Sequence, residues 1–197
     1  ATATDLPLHL NVEPKEKFEP KVRTQGQQLR DGVMDPVWFA CAAAAVSIAV
    51  EHSPGRPHAM YNLLRVAPRD LGERRDEHTR RVNDSLIPLL DLVPIVTSAV
   101  YCRSHAHDPT EDLAYRLSEA VRCGVRARWC LQLWGVIAEP SQSVPITTDQ
   151  AAAYARFIRA SGLAHLHVYA ECQTPAQAEA EAEGIRRIAR ALKGANP

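Results

Sequence analysis

The feature that most constrains this chain is a unit written three times between about Pro94 and Lys193. Each copy sets an apolar segment ahead of a helix that opens on a capping box and stops at glycine. The openings are Asp108-Pro-Thr-Glu111, Thr147-Thr-Asp-Gln150 and Thr174-Pro-Ala-Gln177. In each, a short oxygen side chain can accept from the third helical N–H, while an acid or amide three residues on reaches back. Pro109 and Pro175 stand at a first helical position, where a missing N–H costs nothing. Gly124, Gly162 and Gly194 suit the left-handed residue past a helix end. The spacing predicts helices over Pro109 to Cys123, Thr148 to Ser161 and Pro175 to Lys193, with Leu113, Leu117, Ala120 and Val121 at helical spacing in the first, Ala153, Phe157 and Ala160 on one stripe of the second, and Ile185, Ile188, Ala189 and Leu192 inward on the third.

A period of roughly 35 residues is that of helix-turn-helix solenoids. On that reading the apolar segments, Ile95 to His107, Trp129 to Ala138 and Leu163 to Cys172, are helices too. Hydrophobic residues make up 46% of the chain and aromatics 6%, with alanine dominant, which favours close-packed helices over sheets. The expected fold is all-α, an α-solenoid-like helix-turn-helix repeat over residues 34–197. Its repeats fall at about 94–125, 126–162 and 163–194, behind an extended or disordered N-terminal arm at 1–33. The competing assignment makes Ile95 to Arg103, Trp129 to Ile137 and Ala164 to Glu171 strands, giving β-α-β-α-β-α and a small parallel sheet. Short apolar runs do not separate the two by period. Cys102, Gly135 and the alanines favour helices.

Ahead of the repeats, Pro7, Pro14 and Pro20 punctuate a segment of alternating charge that buries too little apolar surface to order itself. Asp35 and Pro36 form an N-cap and first-turn proline for a helix to about Glu51, apolar on all sides and so expected to be buried all round. Its apolar run, Val37 to Val50, covers about 14 residues, short of the roughly 20 a bilayer requires, so the chain is expected to have no membrane span of its own. A short helix is expected at His58 to Val66. A charged helix that turns apolar follows from Asp70 to about Leu92, with Pro88 and Pro94 expected to kink or interrupt it.

The formal net charge is zero, so any nucleic-acid contact must come from a local patch. Cys41, Cys102, Cys123, Cys130 and Cys172 form no Cys-x-x-Cys pair and are odd in number, which argues for a reducing compartment. The chain starts at Ala1 rather than methionine, as it would after removal of an organellar presequence. There is no phosphate loop and no nucleophile elbow, and no cofactor or catalytic residue is expected. Two histidine pairs, His105 with His107 and His165 with His167, are the metal candidates. If the apolar segments were strands, His165, His167, Tyr169 and Glu171 would share a face, with His105 and His107 at a neighbouring strand end. Such a group could hold a hydrolytic metal. On helices, residues two apart face away from each other and the group dissolves. Arg103, Arg116, Arg122, Arg126 and Arg128 gather near the turns of the repeats, close in sequence to Trp129. Together they could meet an RNA backbone and stack a base.

Ala114-Tyr-Arg-Leu-Ser-Glu-Ala-Val-Arg-Cys-Gly-Val125 and Ala153-Tyr-Ala-Arg-Phe-Ile-Arg-Ala-Ser-Gly-Leu163 resemble the second helix of pentatricopeptide or tetratricopeptide repeats. The resemblance implies RNA binding, or a place among ribosomal and assembly subunits, for the first family, and peptide or protein binding for the second. The function expected is therefore a non-catalytic scaffold or adaptor in a mitochondrial or other organellar assembly, a ribonucleoprotein or a respiratory-type complex. Its partners would be other protein subunits, with structured or single-stranded RNA; otherwise the chain is cytoplasmic. The rival readings are a small α/β metal-dependent hydrolase built on the histidine pairs and a single-stranded RNA-binding repeat protein.

Overall fold

The computed structural model describes residues 8–10, 23–55, 57–67, 69–138, 144–163, 165–170 and 172–194. In chain order the elements are β1 (Leu8–Leu10), α1 (Gln25–Asp31), α2 (Pro36–His52), β2 (His58–Tyr61), α3 (Arg74–Leu90), β3 (Ile95–Val100), α4 (Pro109–Arg122), β4 (Trp129–Trp134), α5 (Thr148–Ser161), β5 (His165–Tyr169) and α6 (Pro175–Lys193). The strands lie in the sheet in the order of the chain, β1-β2-β3-β4-β5. β1 with β2, β2 with β3, and β4 with β5 run parallel.

The expected all-α solenoid is thus replaced by a parallel α/β fold. The three repeat helices form where predicted, but the apolar segment ahead of each is a strand. Every residue of β3 and β4 is buried, and a strand covered on both faces reads as a continuous apolar run. These segments span 6, 6 and 5 residues. That suits strands, whereas a helix usually needs about 10 residues or more. The repeat of roughly 35 residues is therefore one βα step rather than one helical hairpin.

Other expectations change with it. Within residues 1–33, Leu8–Leu10 pairs in the sheet and Gln25–Asp31 is helical, in place of an extended arm; residues 1–7 and 11–22 lie outside the described residues. Residues 58–61 form a strand rather than the start of a helix. α2 begins on its Asp35 cap as predicted, yet only the Trp38, Ala42, Val46 and Ala49 stripe is buried, while Val37, Ile48 and Val50 are exposed. α3 runs through Pro88 to Leu90 without interruption; placed in the last turn, the proline removes one N–H bond only. Among the described residues no helix is long and apolar enough to cross a membrane.

The chain forms two units, and β3 and α4 pass from one to the other. Unit 1 comprises residues 1–98 and 119–129; unit 2 comprises 99–118 and 130–197. In unit 1, Val82, Leu86, Leu89 and Leu90 of α3 join the buried stripe of α2 and Met60 of β2 in the core. Arg65 is buried there, its guanidinium 4.1 Å from the centre of the Trp38 ring and donating to Gln28 Oε1 at 2.9 Å. Burial lowers its pKa to about 10.

Unit 2 holds the two most regular copies of the repeat. Thr147 and Thr174 cap α5 and α6 with reciprocal boxes to Gln150 and Gln177, and Gly162 and Gly194 close them at positive φ. Asp108 accepts from the Thr110 N–H at 2.8 Å at the start of α4. Tyr154 of α5 is fully buried; its hydroxyl accepts from the Cys102 thiol and donates to the Val100 carbonyl, both at 3.3 Å.

Candidate functional site

The C-terminal edge of the strands in unit 2 gathers three of that unit's six aromatic side chains. Tyr101 follows the last residue of β3, Trp134 ends β4 and Tyr169 ends β5. The β4–β5 register sets Trp134 opposite Tyr169 and Gln132 opposite His167, so that alternation puts all four on one face. Trp134 lies edge-on to both tyrosines, with ring centres 5.3 Å from Tyr101 and 5.8 Å from Tyr169. Trp134 is buried and the tyrosines are half-buried, so the tryptophan forms the floor and the phenol rings the accessible sides.

A polar line crosses this face. Gln132 Nε2 donates to Tyr101 Oη at 3.2 Å, and Gln132 Oε1 meets His167 Nδ1 at 3.1 Å. With the amide nitrogen committed to Tyr101, the amide oxygen must accept, so Nδ1 carries the imidazole proton. Burial holds the His167 pKa below its ordinary 6.5. The ring is then neutral near pH 7.

Behind Trp134 the chain makes its closest approach. Gly135 N–H donates to Glu181 Oε1 at 2.7 Å, and a Cβ on Gly184 would lie 1.7 Å from the Gly135 carbonyl oxygen. α6 therefore bears directly on the end of β4, and two glycines make that possible. Trp134, Val136 and Ala180 form a small buried cluster there, with Tyr101, Ala138 and Tyr169 packed against it.

A hollow of about 310 Å³ opens where α4 and α5 begin, lined by the 105–109 loop, Thr147, Asp149, Gln150 and Arg156. Gln150 Nε2 donates to the carbonyls of Ser104 and His107 at 2.8 and 2.9 Å and so fixes the loop.

Among the described residues, the histidines singled out in the sequence do not assemble. His105 is exposed on the loop. His107 Nδ1 accepts from the Arg103 N–H at 3.2 Å, which leaves Nε2–H to donate to Asp112 at 3.3 Å. With both nitrogens engaged, His107 staples the loop and has no lone pair left for a metal. His165 opens β5, but its side chain, like all of Glu171, lies outside the described residues. Among the described residues no group of three potential metal ligands forms.

The arginines are divided between the units. Arg103 and Arg116 belong to unit 2, and Arg122, Arg126 and Arg128 to unit 1. Arg122 pairs with Glu119 at 2.9 Å and with Asp84, and Arg128 donates to the Leu90 carbonyl at 3.1 Å. Trp129, proposed as a stacking ring, is wholly buried. The sequence signal for the aromatic edge was present but unread. Trp-Cys-Leu-Gln-Leu-Trp134 places one amide at an alternate position of an apolar run, a period-2 mark that a buried helix also tolerates.

No family model and no curated protein matches the sequence. Among solved structures the chain is similar to bee venom hyaluronidase in complex with a hyaluronic acid tetramer, with TM-score 0.64 and 16% identity, covering 88% of this chain. The chain spans 60% of the length of that structure. At this identity the likeness speaks for the fold, and it agrees with the α/β arrangement of strands and helices.

Proposed function

We propose that unit 2 is the ligand-binding part of an α/β domain and takes a saccharide, or another hydroxyl-rich ring, at the C-terminal edge of β3, β4 and β5. The observation that carries this is the Tyr101–Trp134–Tyr169 group enclosing the Gln132–His167 pair. Aromatic faces accept the C–H faces of a sugar ring, while phenol hydroxyls exchange hydrogen bonds with its hydroxyls and the Gln132–His167 pair holds Tyr101 in place. Ligands of parallel α/β sheets bind beyond the carboxyl ends of the strands, which is where this group stands. The fold neighbour named above holds a hyaluronic acid tetramer, a saccharide, and this adds support.

The chemistry supported is binding and orientation of the ring. Hydrolysis by paired carboxylates would need two acids across the ring. Among the described acids of unit 2, Asp108 caps α4, Asp112 meets His107, and Glu181 accepts from the Gly135 N–H behind Trp134. The scaffold role implied by helical repeats rested on helices stacking upon one another, and the parallel sheet leaves it without that support.

The reading is tested by titrating the chain with neutral and acidic tetrasaccharides while following tryptophan fluorescence. Saturable quenching is expected, weakened about tenfold or more by Tyr169→Ala or Gln132→Ala, an effect in the range of an aromatic contact or a hydrogen bond lost from a buried site. Equal affinity of the variants and the parent chain, or no binding at millimolar saccharide, would refute it.

A further inference from the structure

We propose that the groove between α5 and α6, on the helical side of unit 2, is a binding site for a phosphate monoester. It does not rest on the saccharide reading. The groove encloses about 530 Å³ and is lined by Arg156 and Arg159 of α5, Arg187 and Arg190 of α6, and one acid, Glu183. Four guanidinium groups against a single carboxylate leave a local excess of three positive charges, in a chain whose formal net charge is zero. Like charges drawn to one groove repel, and a bound dianion relieves that repulsion.

The four arginines are not equivalent. Arg159 Nη2 donates to the Ala191 and Leu192 carbonyls at 2.7 and 2.6 Å, which caps the negative end of α6. Arg187 holds the Ile146 carbonyl at 2.8 Å and Glu183 at 3.1 Å. These two build the walls. Arg190 only approaches Glu183, at 3.6 Å, with its side chain 61% exposed. Arg156 is exposed and makes no hydrogen bond among the described residues, though its charge helps hold the Asp108 carboxyl below the ordinary carboxylate range. Arg156 and Arg190 are thus the cations left to grip a ligand, and the guanidinium fork matches phosphate oxygens in pairs. Thr148, the first residue of α5, adds the positive end of a helix to the same lining.

The body of the ligand follows from the rest of the surface. Ala152, Ala155 and Ala191 give small apolar contacts between the charges. A volume of about 530 Å³ lies within the range of small-molecule sites and far exceeds an orthophosphate ion. An ester with a ring or short carbon chain fills it; free phosphate does not.

Calorimetric titration of the full chain with ribose 5-phosphate, and in parallel with orthophosphate, tests the proposal. Saturable one-to-one binding is expected, tighter for the ester, and weakened at least tenfold by Arg156→Gln with Arg190→Gln. Neither residue holds a backbone carbonyl, so the double variant should keep the parent circular dichroism spectrum. Glu183→Gln should tighten binding, because it removes the one opposing charge. Arg80→Gln, an exposed arginine on α3, should leave it unchanged. Absence of saturable ester binding would overturn the proposal. So would equal affinity for ester and orthophosphate, or losses of the same size in the Arg80→Gln chain.

Discussion

Two residue contacts decide how tightly α6 seats on the end of β4. A methyl group on Gly184 would overlap the Gly135 carbonyl, and a backbone atom has no rotamer by which to give way. Gly184→Ala is expected to cost about 3 kcal/mol or more, read as a lowered urea midpoint; a loss under about 1 kcal/mol would show that α6 can slide. The neighbouring Glu181 carboxyl is pushed above its ordinary 4.5 by burial, against which the Gly135 N–H acts only in part. The folded chain holds this proton more firmly than the unfolded one does. The contribution is whole below about pH 4.5 and is lost as pH rises through the folded-state value. Glu181→Gln keeps an oxygen for the Gly135 N–H and removes the charge. The variant should gain stability at neutral pH and lose part of the decline above pH 4.5; an unchanged pH profile would refute this. Nothing in the sequence marks Gly135 or Gly184 as partners, because 49 positions separate them.

At the scale of the element, local chemistry was the most legible. Thr147 and Thr174 close their capping boxes and Gly162 and Gly194 take the left-handed conformation, since each of these acts within three or four residues of itself. Thr174→Ala should destabilise the chain by about 1 kcal/mol, checked by denaturant titration, and Thr174→Ser should restore most of the loss. The strands were not legible in the same way. Trp129–Trp134 is buried at every position, so no polar face appears to mark a strand, and alanine-rich flanks tilted the reading toward helix. α2 shows the reverse failure: an apolar sequence promised burial all round, yet Ile48 is 57% exposed because only one stripe meets the core. β5 has Leu166 and Val168 partly exposed on one side and His167 and Tyr169 on the other, which gives it the alternation that β4 lacks.

For the molecule as a whole, the five cysteines report how the chain is folded. Cys102 is fully buried beneath Tyr154, and burial raises its thiol to about 11; Cys130 is buried in β4. Cys123 is partly buried, and burial raises its thiol to about 11 as well, while Cys41 and Cys172 are exposed. A thiol-reactive disulfide reagent at pH 8 should therefore modify Cys41 and Cys172 in the native chain, and Cys102 and Cys130 only after denaturation. Rapid native labelling of Cys102 would contradict the packing of α5 over the end of β3. The starts and stops of α4, α5 and α6, the period of roughly 35 residues and the zero formal net charge were written in the order of residues, because capping, turn chemistry and charge are local or additive. The conformation of the apolar segments, the meeting of Tyr101, Gln132, Trp134, His167 and Tyr169, and the separation of the arginines were not. Those depend on which strands lie side by side and in what register, and a hydrogen bond between strands carries no mark in the sequence of either one.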